Sequence, residues 1–177
     1  MNAFESLVAM LLEHDGYWVK SGFKVDLTKD EKRRIRRPSS PRCELDLVAY
    51  KGAGNELLIV ECKSYLDSPG VRFRGFDSID EKHTTRYKLF NDPVLRETVL
   101  GRLESQLVNS GACAQSPNTY LCLAAGKIAT EEDHRKLREH FTHNGWRLFD
   151  DEWLCERLGC VSKSGYEDEV AAMVAPQ

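Results

Sequence analysis

The sequence lacks the long apolar segments of membrane and secreted proteins. No apolar run approaches the ~20 residues that a membrane-spanning helix needs. The first residues also lack the basic start and the long apolar stretch of a signal peptide. We therefore expect no membrane partner and a cytoplasmic location.

The cysteines are few and scattered. Six cysteines are spread over 177 residues, and no two of them form a CxxC pair. Several fall inside predicted strands or helices, where reduced thiols are commonly buried. A zinc site that joins some of them to His140 and His143 is a minor alternative, because their spacing does not match that of known zinc sites.

Positive charge is not in excess either. The formal net charge of −3 excludes a uniformly basic nucleic-acid-binding protein. The charge is uneven, however, because residues 28–42 carry seven Lys or Arg and two acids, whereas residues 150–169 carry seven acids and two bases. This polarity fits a nucleic acid held on one side of the protein. Taken alone, it fits a solvated loop and an acidic tail better.

The first part of the chain alternates between helical and strand patterns. Apolar residues at helical spacing predict a first helix, with Asn2 and Glu5 as a capping box and Gly16 at its end. A strand follows, with a bend at Ser21-Gly22. The prolines and serines of the basic stretch 28–42 predict a loop.

The second part of the chain begins with residues 64–91, which show few apolar residues in period and predict an inserted loop or small irregular subdomain. Asp92-Pro93 then starts a helix. Residues 119–125 predict a buried strand, and Thr130 caps another helix before a last short strand and helix. The whole order predicts one domain of the α/β class, with a small mixed sheet flanked by helices.

Two of these strands carry polar residues where an apolar run ends. The run LLIV at 57–60 is followed by Glu61 and Lys63, which share one face because side chains alternate along a strand. A Gly-rich turn at 52–55 joins this strand to an earlier one that contains Asp46. The short connection predicts an antiparallel hairpin.

Asp46 is expected to meet Glu61 across this hairpin. Strict alternation places Glu44 beside Asp46 as a further candidate acid, with Leu45 and Leu47 together on the opposite face. Two carboxylates alone repel, whereas Mg²⁺ relieves the repulsion and takes one or two carboxylates plus phosphate oxygens. The nearby lysine can stabilise negative charge in a transition state. A solvated pair at a strand edge is the plain alternative.

The segments ELDLVAY and NELLIVECKS resemble the core motif of the PD-(D/E)xK nucleases, the restriction-endonuclease-like superfamily. That motif has an Asp on one strand and Glu-x-Lys on the next, and Asp46, Glu61 and Lys63 stand at those positions. Glu44-Leu45 precedes Asp46 where the named motif has Pro. The opening FESLVAMLLEHDGYWV resembles the first helix of Mrr-type restriction endonucleases and archaeal Holliday-junction resolvases.

The resemblance covers roughly residues 4–125, and the element order agrees with it. It implies a restriction-endonuclease-like core of order αβββαβ at about 3–126, with an insertion at about 64–91 and a C-terminal helical extension at about 127–177. All of these belong to a single nuclease-like domain over 1–177.

The implied activity is that of a Mg²⁺-dependent DNA endonuclease, in which Mn²⁺ can replace Mg²⁺. Asp46, Glu61 and the Cys62 backbone carbonyl are the implied metal ligands. Lys63 positions the attacking water. Glu5 corresponds to a first-helix glutamate that helps hold the metal, and the capping box explains it equally well.

The expected DNA contacts lie in the basic stretch and on a later helix. We expect phosphate contacts without base readout from Lys32, Arg33, Arg34, Arg36 and Arg37. Gln106 is the polar residue that relatives often place on the helix after the insertion, and a polar helix face accounts for it equally. A homodimer stays open, as do two other functions: a non-catalytic nucleic-acid-binding or assembly module, and a protein-interaction domain with surface acids.

Overall fold

The computed structural model describes residues 2–36, 43–65, 68–77 and 85–163. These residues form a mixed five-stranded sheet with helices on both faces, which confirms the predicted α/β class. In chain order the elements are α1 (Ala3–His14), β1 (Trp18–Val25), α2 (Lys29–Arg34), β2 (Cys43–Lys51), β3 (Glu56–Lys63), α3 (Lys88–Asn91), α4 (Pro93–Asn109), β4 (Asn118–Ala125), α5 (Glu131–His143), β5 (Arg147–Phe149) and α6 (Asp151–Lys163).

The sheet runs in the order β1-β2-β3-β4-β5. Strands β1, β2 and β3 form an antiparallel meander, and β4 and β5 continue the sheet in parallel. The predicted hairpin between β2 and β3 is confirmed, with a short 3-10 helix at Gly52–Gly54 and Asn55 in the left-handed conformation at its turn. No helix among the described residues is long and apolar enough to cross a membrane.

The helix boundaries follow the predicted capping residues. The Asn2 side chain and Glu5 form a capping box at the start of α1, and Gly16 takes a φ of +87° just after its end. Asp92 caps α4, with Pro93 as its first residue, and Thr130 caps α5. These short-range signals are confirmed because each depends on only three or four neighbouring residues.

Two hydrophobic cores fill the space on the two faces of the sheet. The back core lies between the sheet and helices α1 and α6, and the front core lies between the sheet and helices α3, α4 and α5. The back core includes Phe4, Val8, Leu11, Leu12, Leu47, Leu58, Val60, Cys62, Cys122 and Leu154. The front core includes Leu45, Val48, Ile59, Phe76, Tyr87, Phe90, Leu95, Val99, Leu103, Leu137 and Phe141.

The expected alternation along β2 is wrong at one point. Leu45 packs in the front core and Leu47 in the back core, so these residues do not share a face. The alternation is interrupted at Asp46. The β1–β2 register contains no pair between Asp46 and Gly22. Gly22 has a φ of +58°, so β1 bends at the predicted position, and strict alternation ends there.

The basic stretch was also expected to be a loop, and its first half is a helix. Thr28 and Glu31 form a capping box that starts α2, and Arg102 of α4 holds Glu31 through bonds of 2.8–3.0 Å. The Pro and Ser residues that predicted a loop lie later, at 38–41. Residues 37–42 lie outside the described part of the chain.

The described parts of the insertion belong to the front core rather than to a separate subdomain. Val71, Phe76, Tyr87 and Phe90 are all buried there. The 3-10 helix Phe73–Gly75 and helix α3 supply the local order. The sequence did not reveal this packing, because the apolar and aromatic residues of the insertion follow neither a helical nor a strand period.

Glu56 lies at the opposite end of β3 from Glu61 and joins β3 to β5 and to Tyr17, the residue before β1. Arg147 of β5 donates to its two oxygens at 3.0 and 2.7 Å, and the Tyr17 hydroxyl donates to Oε1. The Arg147 guanidinium holds the pKa of Glu56 below its ordinary value. Burial, together with the Glu56 contact, raises the pKa of Tyr17 to about 12.

We expect Glu56→Gln to lower the free energy of unfolding by about 1–2 kcal/mol at pH 7, because it weakens a half-buried, charge-assisted pair. The folded pKa of Glu56 lies below its unfolded value, so the stabilisation is complete above the unfolded pKa and is lost as pH falls through the folded one. Urea unfolding from pH 7 down to about pH 3 should show the gap between the two proteins shrinking.

Glu139→Gln is the matched control for this measurement. Its pair with Arg135 lies within one helix and both side chains are more than half exposed, so the change should cost under about 0.5 kcal/mol. A Glu56→Gln deficit that is no larger than this, or that stays constant with pH, would contradict the assigned role of Glu56.

Candidate functional site

The ends of β2 and β3 separate where the predicted site residues stand. The antiparallel register runs from Lys51 opposite Glu56 to Leu47 opposite Val60, and it stops before Asp46 and Glu61. Asp46 Oδ2 accepts a hydrogen bond of 2.8 Å from the Cys62 backbone N–H. A side-chain carboxylate thus binds β3 beyond the last ladder pair, which places Asp46 against the Glu-x-Lys segment.

Glu61 and Lys63 share one face of β3, as predicted, and form an ion pair there. The distance from Lys63 Nζ to Glu61 Oε1 is 2.9 Å, and the two side chains are only 23% and 15% exposed. Burial raises the pKa of Glu61, and the neighbouring Asp46 carboxylate raises it further despite the lysine. Burial alone would lower the pKa of Lys63, but Glu61 and then Asp46 outweigh it and raise this pKa.

The two directions together describe the charge balance of the site. The two acids stabilise the charged form of Lys63. The charged form of Glu61 remains unfavourable, because Lys63 and Lys88 together do not offset burial and the Asp46 charge. A further positive charge near Glu61 would therefore stabilise its ionised form.

These residues line one cleft with a volume of about 380 Å³. Its floor is the end of β2 and β3, and its walls come from α2, α3, α4 and the insertion. Charged side chains of both signs face it: the acids Glu44, Asp46 and Glu61, and the basic residues Lys32, Lys63, Arg86 and Lys88. Glu44, the further candidate acid, is exposed and also lines this cleft.

Cys62 contributes its backbone rather than its thiol. The side chain lies in the back core, where burial followed by the Asp46 charge raises the pKa of the thiol. The Lys63 carbonyl accepts from Gly126 on the β4 side. Successive carbonyls of a strand point to opposite neighbours, so the Cys62 carbonyl faces the β2 side, together with the N–H that binds Asp46.

Glu5 has a structural role in the fold. Its oxygens accept from the Asn2 backbone N–H at 3.0 Å and from Asn2 Nδ2 at 2.7 Å, as the capping box requires. Its charge also contributes to the raised pKa of the Cys62 thiol. A metal-binding role for Glu5 stays a prediction.

The basic residues of α2 divide into cleft and surface positions. Lys32 lines the cleft. Arg33 pairs with Asp30 at 3.0 Å and Arg34 with Glu97 at 3.5 Å, and these exposed pairs hold the side chains only weakly. Arg36 follows the helix with a φ of +56°. Arg37 lies outside the described residues.

Gln106 does not line the cleft. Its Oε1 accepts a 2.8 Å hydrogen bond from the backbone N–H of Asp26, just beyond the end of β1. It thereby ties α4 to β1, which gives the side chain a structural role that a polar helix face did not reveal.

Sequence reasoning missed two residues that line the cleft, Arg86 and Lys88. Both lie at the end of the insertion, in the stretch TTRYKLF, and Lys88 is close enough to lower the pKa of Glu61. A basic residue on each side of the buried Tyr87 was the available signal, but nothing in the sequence alone placed the insertion beside β3.

The donor set fits Mg²⁺ better than zinc. In the described part of the chain, no three His, Cys, Asp or Glu side chains are grouped so that they could hold a metal ion. His140, a residue of the zinc alternative, packs among aromatic rings, including those of Phe73 and Trp146. Mg²⁺ usually keeps several waters and needs only one or two carboxylates plus phosphate oxygens, and Asp46 and Glu61 can supply that pair.

Comparison with known proteins gives a distant structural neighbour. No protein-family model matches the chain, and no curated protein sequence matches it. Among solved structures, the chain is similar to an XisH family protein from Nostoc punctiforme, at 16% identity and a TM-score of 0.39. The match covers 86% of this chain and 94% of that one, and at this similarity it supports no argument about function.

Asp46 should contribute to stability as well as to the site. Asp46→Ala leaves the Cys62 N–H without its acceptor, so the free energy of unfolding should fall by about 1–2 kcal/mol. Asp46→Asn keeps an oxygen that can accept the bond, and it should cost less than half as much. Urea unfolding of the three proteins at pH 7 tests this, and equal losses in the two variants would contradict it.

Proposed function

We propose that the chain is a Mg²⁺-dependent DNA endonuclease with a restriction-endonuclease-like core. One observation carries the proposal: Asp46, Glu61 and Lys63 come together in one cleft, at the point where β2 and β3 separate. The buried Glu61 carboxylate, with its raised pKa, favours an additional cation there. The motif resemblance supplies the reaction class.

In this proposal Asp46 and Glu61 hold the metal, and the Cys62 carbonyl faces the same side. When bound, Mg²⁺ lowers the pKa of a coordinated water and offsets charge on the phosphate. The hydrogen bond from the Cys62 N–H fixes one Asp46 oxygen and so leaves the other for a ligand. Lys63 is ion-paired with Glu61 and directs an ammonium into the cleft, where it orients the water and stabilises developing negative charge.

The remaining basic residues of the cleft favour a phosphate-containing substrate. Lys32, Arg86 and Lys88 line the cleft together with the acids. None of these three side chains forms an ion pair within the described residues, so they are available to an anionic ligand. Phosphodiester DNA matches this pattern of central acids surrounded by cations.

A second candidate is a nucleic-acid-binding module without cleavage. The observation in its favour is that Lys63 already occupies one oxygen of Glu61, and that no third acid completes a metal cluster among the described residues. DNA binding that is weakened by salt, without Mg²⁺- or Mn²⁺-dependent cleavage of linear, nicked, single-stranded or four-way-junction DNA, would favour this module over the endonuclease.

Lys63→Ala should reduce the rate of DNA cleavage by about 10²–10³, because an electrostatic contact to the transition state is lost. Metal affinity should fall less in this variant than in Asp46→Asn, since both carboxylates remain. The measurement combines single-turnover cleavage of plasmid DNA with a Mn²⁺ titration of each protein.

Lys20→Ala is the matched control, because Lys20 is an exposed lysine of β1 opposite Val48, away from the strand ends. It should cleave at the wild-type rate. If wild type cleaves and Lys63→Ala cleaves equally fast, Lys63 has no role in catalysis and the proposed mechanism is wrong.

Lys32 of α2 and Arg36, just after this helix, should hold the DNA without reading its sequence. We expect Lys32→Gln/Arg36→Gln to weaken binding similarly for unrelated duplexes and to reduce the slope of log K against log salt by about 1–2. Fluorescence anisotropy in EDTA at several salt concentrations measures this. Lys20→Gln/Arg135→Gln removes two exposed charges elsewhere and serves as the control, and an equal slope in the two doubles would make α2 a solvated helix.

A further inference from the structure

A second pocket lies beside the cleft and is built mainly from the insertion. Its volume is about 160 Å³, and it is lined by Arg72, Arg74, Arg86 and the phenols Tyr65 and Tyr87, with Ser68 at its rim. Arg86 lines this pocket and the cleft alike. The two cavities are therefore neighbours that share one lining residue, Arg86.

The described residues that line this pocket carry positive charge, and none of them is acidic. Within the described ranges, no carboxylate pairs with Arg72, Arg74 or Arg86, whereas arginines elsewhere, such as Arg102, Arg138 and Arg147, each hold a carboxylate at 2.7–3.0 Å. Like charges gathered in one pocket repel, so this cluster favours a bound anion.

The backbone that presents Arg72 and Arg74 is firmly attached to the core. Val71 exchanges hydrogen bonds of 2.9 Å with the backbone of Lys127 and Ala129, and Asp133 accepts from the Phe73 N–H at 2.8 Å. The Phe73 ring packs edge-on against His140, on the core side. The exposed arginines on either side of Phe73 both line the pocket.

Two glycines allow the tight packing of this wall. Gly70 has a φ of +99°, and a Cβ there would lie 2.9 Å from the backbone of Ile128 and Ala129. A Cβ on Gly75 would lie 2.6 Å from the ring of Tyr87, which is buried behind the pocket. The pocket is thus a formed part of the fold rather than a chance meeting of long side chains.

We propose that this pocket binds a backbone phosphate of the DNA strand next to the one in the cleft. Guanidinium groups match phosphate oxygens through charge-assisted, bidentate hydrogen bonds. The shared Arg86 gives continuity from one phosphate to its neighbour along a strand. This inference rests on the proposed nucleic-acid substrate and assigns the insertion to holding it.

The test compares Arg72→Gln/Arg74→Gln with wild type and with the control Lys20→Gln/Arg135→Gln. The probe is a fluorescent blunt duplex with 5′-hydroxyl ends, bound in EDTA across a range of salt concentrations. The arginine variant should bind at least about tenfold more weakly at low salt, with a slope of log K against log salt smaller by about 1–2. Its thermal melt should match wild type, because these side chains have no partner in the described structure.

The outcomes separate this inference from the proposed cleavage. If wild type cleaves DNA and the arginine variant binds like the control, the pocket assignment is wrong while the endonuclease stands. If binding depends on the arginines and no cleavage is found with Mg²⁺ or Mn²⁺, the endonuclease is wrong and the pocket assignment stands. If wild type binds no DNA, both are wrong.

Two further arms identify the source of the phosphate. A relaxed circular plasmid has no ends, and its binding should show the same dependence on the arginines. A 5′-phosphorylated duplex should bind like the 5′-hydroxyl duplex. A dependence on the arginines that is confined to the phosphorylated duplex would identify a terminal phosphate instead. If millimolar inorganic phosphate displaces the DNA from wild type but not from the arginine variant, the ligand of the pocket is a free anion. Either result overturns the assignment.

Discussion

The hydrogen bond from the Cys62 N–H to the Asp46 carboxylate is the constraint on which the candidate site depends. Beyond Leu47 and Val60 the β2–β3 ladder stops, and without a new partner the backbone of β3 would lose its acceptor on that side. The carboxylate takes the place of a strand carbonyl. It thereby links the two strand ends through a side chain, which leaves a wider space between them than a backbone pair does. Glu61 and Lys63 can face that space instead of lying opposite a residue of β2.

The electrostatics of the gap follow from this geometry. Glu61 is buried at the end of β3, and burial makes its charged form unfavourable unless cations lie nearby. Lys63 supplies one from the same strand, and Lys88 is near enough to contribute. The insertion, which brings Lys88 and Arg86 to the cleft, is consequently part of the site as much as the two strands that carry the motif.

Local signals in the sequence predicted the elements, and long-range contacts decided the rest. Capping residues and Gly turns placed the helices and the hairpin, and the alternation along β3 correctly put Glu61 beside Lys63. The helix α2 was missed because the loop prediction depended on the prolines and serines that follow it, whereas the Thr28–Glu31 capping box marks its start. The faces of Leu45 and Leu47 depended on the bend at Gly22, and the burial of the insertion depended on residues far away in the chain.

The distribution of unpaired charged residues explains how a protein with a negative net charge could bind the proposed anionic ligand. The acidic stretch that begins at residue 150 is partly neutralised inside the fold, since Arg138 holds both Asp150 and Glu152 at 2.7 Å, and Asp150 also accepts from the Trp153 N–H at the start of α6. The basic residues around the cleft behave differently, because Lys32, Arg72, Arg74, Arg86 and Lys88 form no ion pair within the described residues. Counting residues in the sequence treats these two groups alike. Ion pairs largely neutralise the acids near residue 150, whereas the basic residues around the two pockets keep their charge. The region of the pockets can therefore attract phosphate while the chain as a whole carries a charge of −3.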